Sequence, residues 1–229
     1  NADFSRAMLR LVPESLRPTW KNSKLGRTKF SCSTYMLYLG VKGEVDSPHH
    51  VIYFSSDYEQ NLKDITNNYR LSPDPSFYLQ NACVTDPGLA PPGCSALYCL
   101  IPVPHLHPNL DWRSEAPKLR KVAFEQMAKL GLKDLESRIV VEHQYTPDDW
   151  EAMEIHRGAT FSMAHTLDQM LFLRPQNRYQ DLDGVYLVGG STHPGSGLPV
   201  IYSSARITCR ALTRDLGAVW REESQLAKV

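Results

Sequence analysis

The stretch that most constrains this chain is residues 184–216, GVYLVGGSTHPGSGLPVIYSSARITCRALTRDL. Residues 185–188 form a short apolar run closed by Gly189-Gly190, the pattern of a buried strand in an α/β sheet. A polar, small and Pro/Gly segment follows, and then a helical pattern. Pro199 takes a first-turn position, and Ile201, Ala205, Thr208, Leu212 and Leu216 share one face. Strand, glycine-rich turn and helix in that order aim backbone N–H groups and the positive end of a helix at a negatively charged group. Gly189, Gly190, Gly195 and Gly197 lack a Cβ and let a ligand approach the backbone closely. The same layout also makes a tight turn that binds nothing, and spacing alone does not choose between the two.

At 229 residues the chain has room for a sizeable core. Its 25 basic residues balance 25 acidic ones, so charge gives no pointer to nucleic acid. Cys32, Cys83, Cys94, Cys99 and Cys209 form no C-x-x-C pair and no disulfide ladder, which suggests free thiols in a reducing compartment. No signal peptide opens the sequence, and no apolar run reaches the ~18 residues of a membrane span. The expected location is cytoplasmic, with peripheral contact at the inner membrane surface.

Along the chain, Phe4, Met8, Leu9, Leu11 and Val12 predict a first helix stopped by Pro13. Strands are expected at 30–41, 49–54, 76–82, 95–103 and 138–145. Ser56-Asp57-Tyr58-Glu59 reads as a capping box opening a helix that reaches Tyr69. Leu119, Val122, Ala123, Gln126, Met127 and Leu130 mark a longer helix ended by Gly131, and Thr146-Pro147-Asp148-Asp149 starts a short one. The strands with few helices between them imply a largely antiparallel sheet. Phe77, Tyr78, Tyr98, Leu100 and Ile101 lie on its strands, about half of them facing a core.

The wording of residues 184–198, with Thr192-His193-Pro194-Gly195 at its centre and Ser203-Ser204 behind it, closely resembles the C-terminal signature of bacterial-type phytoene desaturases and related carotenoid desaturases. Residues 86–106, DPGLAPPGCSALYCLIPVPHL, and 161–178, FSMAHTLDQMLFLRPQNR, resemble two further segments of that family in the same order. The resemblance implies an FAD-dependent enzyme that introduces C=C bonds into a lipophilic polyene such as phytoene by hydride transfer to flavin. It implies FAD contact at Gly189, Gly190, Ser191, Thr192, Gly197, Leu198 and Pro199. His193 is the catalytic candidate, either orienting substrate and handling protons or shaping the turn; no base is assigned.

In that family an Asn-Ala-Asp stretch such as residues 1–3 follows a strand near the middle of a longer chain. The G-x-G-x-x-G pyrophosphate fingerprint of its N-terminal part is absent here. The expected fold class is therefore α/β: a mixed, largely antiparallel substrate-binding sheet with flanking helices at 6–157, and pieces of a Rossmann-like FAD domain at 1–5 and 158–229. The fingerprint would come from a missing N-terminal half or a partner subunit. The competing reading is a non-catalytic fragment or subunit that binds no flavin alone.

Other patterns invite other chemistry. Gly189-Gly190-Ser191-Thr192-His193 approaches the G-x-S-x-G elbow of serine hydrolases, but lacks its final glycine and any downstream histidine. His105 and His107 have H-x-H spacing without a neighbouring third ligand, as does the weaker His49-His50 pair, so no metal is expected. Arg206, Arg210 and Arg214 fit either a solvated helix face or contact with anionic lipid, and the apolar 161–173 region could dock a membrane.

Overall fold

The computed structural model describes residues 2–219; Asn1 and residues 220–229, which belong to the expected end pieces 1–5 and 158–229, lie outside the described residues. The chain divides into two compact units, one built from residues 1–31, 154–156 and 161–229, the other from 32–153 and 157–160. Residues 6–31, grouped by the sequence with the sheet, thus cluster with the C-terminal segment.

The second unit is a five-stranded sheet of β1 (Ser33–Lys42), β2 (His50–Tyr53), β3 (Phe77–Asn81), β4 (Cys94–Val103) and β5 (Ile139–Tyr145), in the order β2-β3-β4-β1-β5. Every pairing is antiparallel. The sheet is therefore not mixed, which corrects the sequence expectation. A parallel neighbour needs a long crossover back to the same edge, and here each adjacent strand returns the other way.

Alternation sends Tyr35, Leu37, Leu39 and Val41 of β1 and Leu97, Cys99, Ile101 and Val103 of β4 to one buried face. Helix α4 (Trp112–Lys129) covers that face with Trp112, Ala116, Leu119, Ala123 and Met127, spaced three or four apart. It begins well before the Leu119 stripe, at the Asp111 cap, and runs through Pro117. Pro117 and Arg113 are both exposed, so water can serve the carbonyl that the proline leaves unpaired.

Helix α3 (Tyr58–Lys63) is capped by Asp57, whose carboxylate accepts the Gln60 N–H at 3.0 Å. Ser56 is not the cap expected from the sequence, because its hydroxyl donates to Asp74 Oδ2 at 2.7 Å instead. A π-helical turn, Asp64–Asn68, then ends in left-handed Tyr69. Helix α5 (Pro147–Ala152), expected at this point, opens with a capping box in which Thr146 and Asp149 bond reciprocally.

The first unit holds α1 (Phe4–Leu11), α2 (Asn22–Arg27) and α6 (Leu198–Asp215). Residues 185–188 do not form the expected sheet strand. Tyr186 makes one antiparallel bridge to Arg178, flanked by Tyr179 N–H to Val185 O at 2.9 Å and Leu187 N–H to Asn177 O at 2.8 Å. A strand needs backbone neighbours for its N–H and C=O groups, and the backbone bonds of this segment go to 177–179.

Candidate functional site

The glycine-rich corner between residues 188 and 198 turns on backbone that side chains rarely adopt: φ is +124° at Gly189, +149° at Gly195 and +99° at Gly197. The peptide between His193 and Pro194 is cis. The Thr192 N–H closes a turn on Gly189 O at 3.0 Å, and the His193 N–H reaches Pro175 O at 2.8 Å. A Cβ on Gly190 would sit 2.9 Å from Ser162 Oγ and 3.3 Å from Ser196 Cβ, so a larger residue there would require these serines to shift.

The corner ends at the start of α6, where the cap residue is Gly197 and makes no side-chain capping bond. A Cβ on Gly197 would meet nothing within 4 Å. Leu198 is 71% exposed. The positive end of an 18-residue helix therefore starts at exposed residues and carries no side-chain cap.

Ser191 and Thr192 turn inward and are buried. Ser191 Oγ and His193 Nδ1 are buried without a hydrogen-bond partner. The expected contact residues thus fall into three groups: Gly197, Leu198 and Pro199 are exposed, Gly189 and Gly190 half-buried, and Ser191 and Thr192 buried.

Three side chains outside the glycine motif hold the corner. Arg174, 2% exposed, donates to Gly190 O at 2.7 Å, Met163 O at 3.0 Å and Ala164 O at 3.3 Å, and its Nε is buried without a partner. Burial lowers its pKa to about 10, because removal from water disfavours the charged guanidinium. Asn177 donates to Ser204 O at 3.2 Å, Ser204 Oγ at 3.0 Å and Thr208 Oγ1 at 2.9 Å, pinning α6 to the preceding segment. His165 Nε2 accepts the Ser196 N–H at 3.1 Å and lies against the Cα of Gly195. Nothing in the sequence signals these roles beyond the place of all three in one family-like segment, 161–178.

On the sheet unit, register sorts the residues the sequence left unassigned. Phe77 and Ile101 face α4, whereas Tyr78, Tyr98 and Leu100 point to the opposite face. That face carries aromatic rings on every strand: His50 on β2, Tyr78 on β3, Tyr98 on β4, Tyr38 on β1, and Tyr145 with His143 on β5. Successive ring centroids are 5.9, 5.4, 6.0 and 5.8 Å apart. The row crosses the sheet over roughly 19 Å at the usual strand spacing. Burial, with Tyr78 beside it, pushes the Tyr98 phenol up to about 12.

A scan against protein-family models found no match. Comparison with curated proteins found close relatives. The chain is 45% identical to a 4,4'-diapophytoene desaturase (4,4'-diapolycopene-forming) from Methylomonas sp, over 93% of this chain and 42% of the relative. It is 40% identical to a zeta-carotene-forming phytoene desaturase from Myxococcus xanthus, over 93% of this chain and 41% of the relative. The chain belongs to the carotenoid desaturase family. A phytoene desaturase (lycopene-forming) from Pseudescherichia vulneris is 37% identical over 94% of this chain and 44% of its own length. This desaturase chain therefore spans about two-fifths of the length of the relatives it matches.

The remaining sequence candidates take other places. An elbow serine must expose its hydroxyl, but Ser191 is buried, so the hydrolase reading finds no support here. His105 and His107 both pack on Tyr69, at 5.3 and 4.1 Å between ring centroids. Burial lowers the His105 pKa. Among the described residues no group of three or more His, Cys, Asp or Glu gathers to hold a metal. Arg206, Arg210 and Arg214 are exposed along α6, and no helix among the described residues is long and apolar enough to cross a membrane.

Proposed function

We propose that this chain is the C-terminal part of an FAD-dependent carotenoid desaturase, in which the corner at residues 189–199 receives the flavin and the aromatic face of the sheet receives a polyene. The observation that carries this reading is the uncapped start of α6 beside Gly197, where a Cβ would meet nothing within 4 Å. The donor set fits the group. An open helix N-terminus suits the electron-rich edge of an isoalloxazine ring, and the unpartnered Ser191 hydroxyl and His193 Nδ1 lie in the same corner.

When bound, the flavin supplies acceptance of a hydride from a C–H bond. The chain's own share is positioning. The Leu198 amide and the backbone at Gly189, Gly190 and Gly197 hold the ring edge; Pro199 offers only its ring and carbonyl. Arg174 fixes Gly190 through its carbonyl at 2.7 Å. His193 is the candidate to orient substrate or hold the departing proton. Tyr38, Tyr78 and Tyr98 give a polyene flat aromatic surface and help exclude water from it.

The Rossmann-like domain would be completed by a G-x-G-x-x-G segment absent from these residues, with 1–5 and 158–229 as its pieces and 6–157 as the substrate domain. The test is flavin retention. The chain mixed with the N-terminal part of the Methylomonas relative should elute yellow from gel filtration, and the chain alone colourless. Yellow protein from the chain alone would show that the pyrophosphate site is not where this reading puts it.

Leu167, Leu171 and Phe172, 91%, 63% and 81% exposed, support a peripheral membrane contact through which a lipophilic substrate could enter. The chain should float with anionic vesicles, and Phe172→Asp should weaken that binding roughly tenfold or more. Equal flotation of both would remove the membrane from this account.

A further inference from the structure

His165 lies outside the glycine motif, yet it is built into the corner. Its Nε2 accepts the Ser196 N–H at 3.1 Å, so that nitrogen carries no proton and the neutral ring is protonated on Nδ1. The ring occupies the space a Cβ on Gly195 would need, which explains why glycine at φ +149° stands there. Ser196 is the residue immediately before Gly197, the cap of α6. On the other side of the same segment, Arg174 ties Met163 and Ala164 to Gly190. Residues 163–165 therefore grip the corner at both ends.

We propose that neutral His165 is a positioning residue: by holding the Ser196 amide it orients the open N-terminus of α6 toward the ligand of the corner, and protonation releases it. This inference rests on the proposed flavin site for the identity of that ligand, but not for the clamp itself.

The clamp is acid-sensitive. A protonated ring turns Nε2 from acceptor to donor, and it then faces a second donor in Ser196. Burial and the Arg174 guanidinium lower the His165 pKa below its ordinary 6.5. The corner side presents Gly195 and Ser196, which do not titrate. The bond therefore contributes fully above pH 6.5 and is lost as pH falls below it toward the lowered folded value.

The test uses the chain labelled with ¹⁵N and follows exchange of the Ser196 amide against pH, corrected for its intrinsic rate. In the wild type, exchange should accelerate roughly tenfold as His165 titrates. His165→Gln keeps an acceptor that does not titrate, so protection should persist with no step. His165→Phe should lose protection at every pH. An amide indifferent to His165→Phe, or a step surviving in His165→Gln, would overturn the clamp.

With the complementary N-terminal part present, FAD fluorescence quenching reads affinity. His165→Phe should weaken it at neutral pH and His165→Gln should not; equal affinity in all three overturns the positioning role. Should no protein bind FAD while Ser196 behaves as expected, the clamp stands and the flavin reading fails.

Discussion

Gly158→Ala should destabilise the sheet unit by about 3 kcal/mol, through a collision with fixed backbone added to an unfavourable φ. Gly158 has φ +59°, and a Cβ there would run into the carbonyl oxygen and carbon of Pro147. Backbone carbonyls cannot rotate away as a side-chain tip can. The position is held further by its own hydrogen bonds: the Gly158 N–H to Glu151 Oε2 at 3.2 Å, and the Ser33 hydroxyl to Gly158 O at 2.5 Å. Strain at Gly158 would therefore loosen the start of β1 and the end of α5 together. Gly131→Ala is the matched control. Its φ is +99° but a Cβ meets nothing within 4 Å, so only the backbone term of about 1 kcal/mol should appear. Urea unfolding followed by circular dichroism measures both, and equal losses would show that the Pro147 contact relaxes freely.

Leu198→Glu should have the opposite effects on stability and on flavin. Leu198 is the first residue of α6 and is 71% exposed, so the change removes little packing. A carboxylate in the first turn of a helix is favourable, by about 0.3–1 kcal/mol. The same carboxylate occupies the positive end that the proposed site offers to the ring edge, and its charge repels an electron-rich group. The variant should unfold no earlier than wild type and retain flavin at least tenfold less well. A loss of function through misfolding would show both falling together, which separates the two explanations.

Much of the architecture could be read from local pattern. The five strands fall where β-branched and aromatic runs predict them, and helix α6 starts beside Pro199 as expected. What escaped depends on partners distant in sequence or on exposure. The apolar stripe marks α4 only from Leu119, yet the helix begins at Trp112 and runs through Pro117, which faces solvent. Residues 185–188 read as a strand, but strand character needs a neighbour, and among the described residues only Arg178 bridges to them.

The corner shows the same division. Its glycines are visible in the sequence because φ > 0 and close approach demand them. Arg174, Asn177 and His165 are not, since an arginine that solvates carbonyls or a histidine that accepts an amide looks like any other before the chain is folded. The two faces of the sheet could be separated only by register, which sends Ile101 to the core and Leu100 away from it.

The claim on which all this depends is that the open end of α6 is where an isoalloxazine ring rests. Flavin absorbance co-eluting with the chain and its N-terminal complement, measured side by side for wild type and Leu198→Glu, tests it most directly. Yellow wild-type protein and a colourless variant of equal or greater stability is the predicted outcome. Equal colour in the two, or no colour in either, contradicts it.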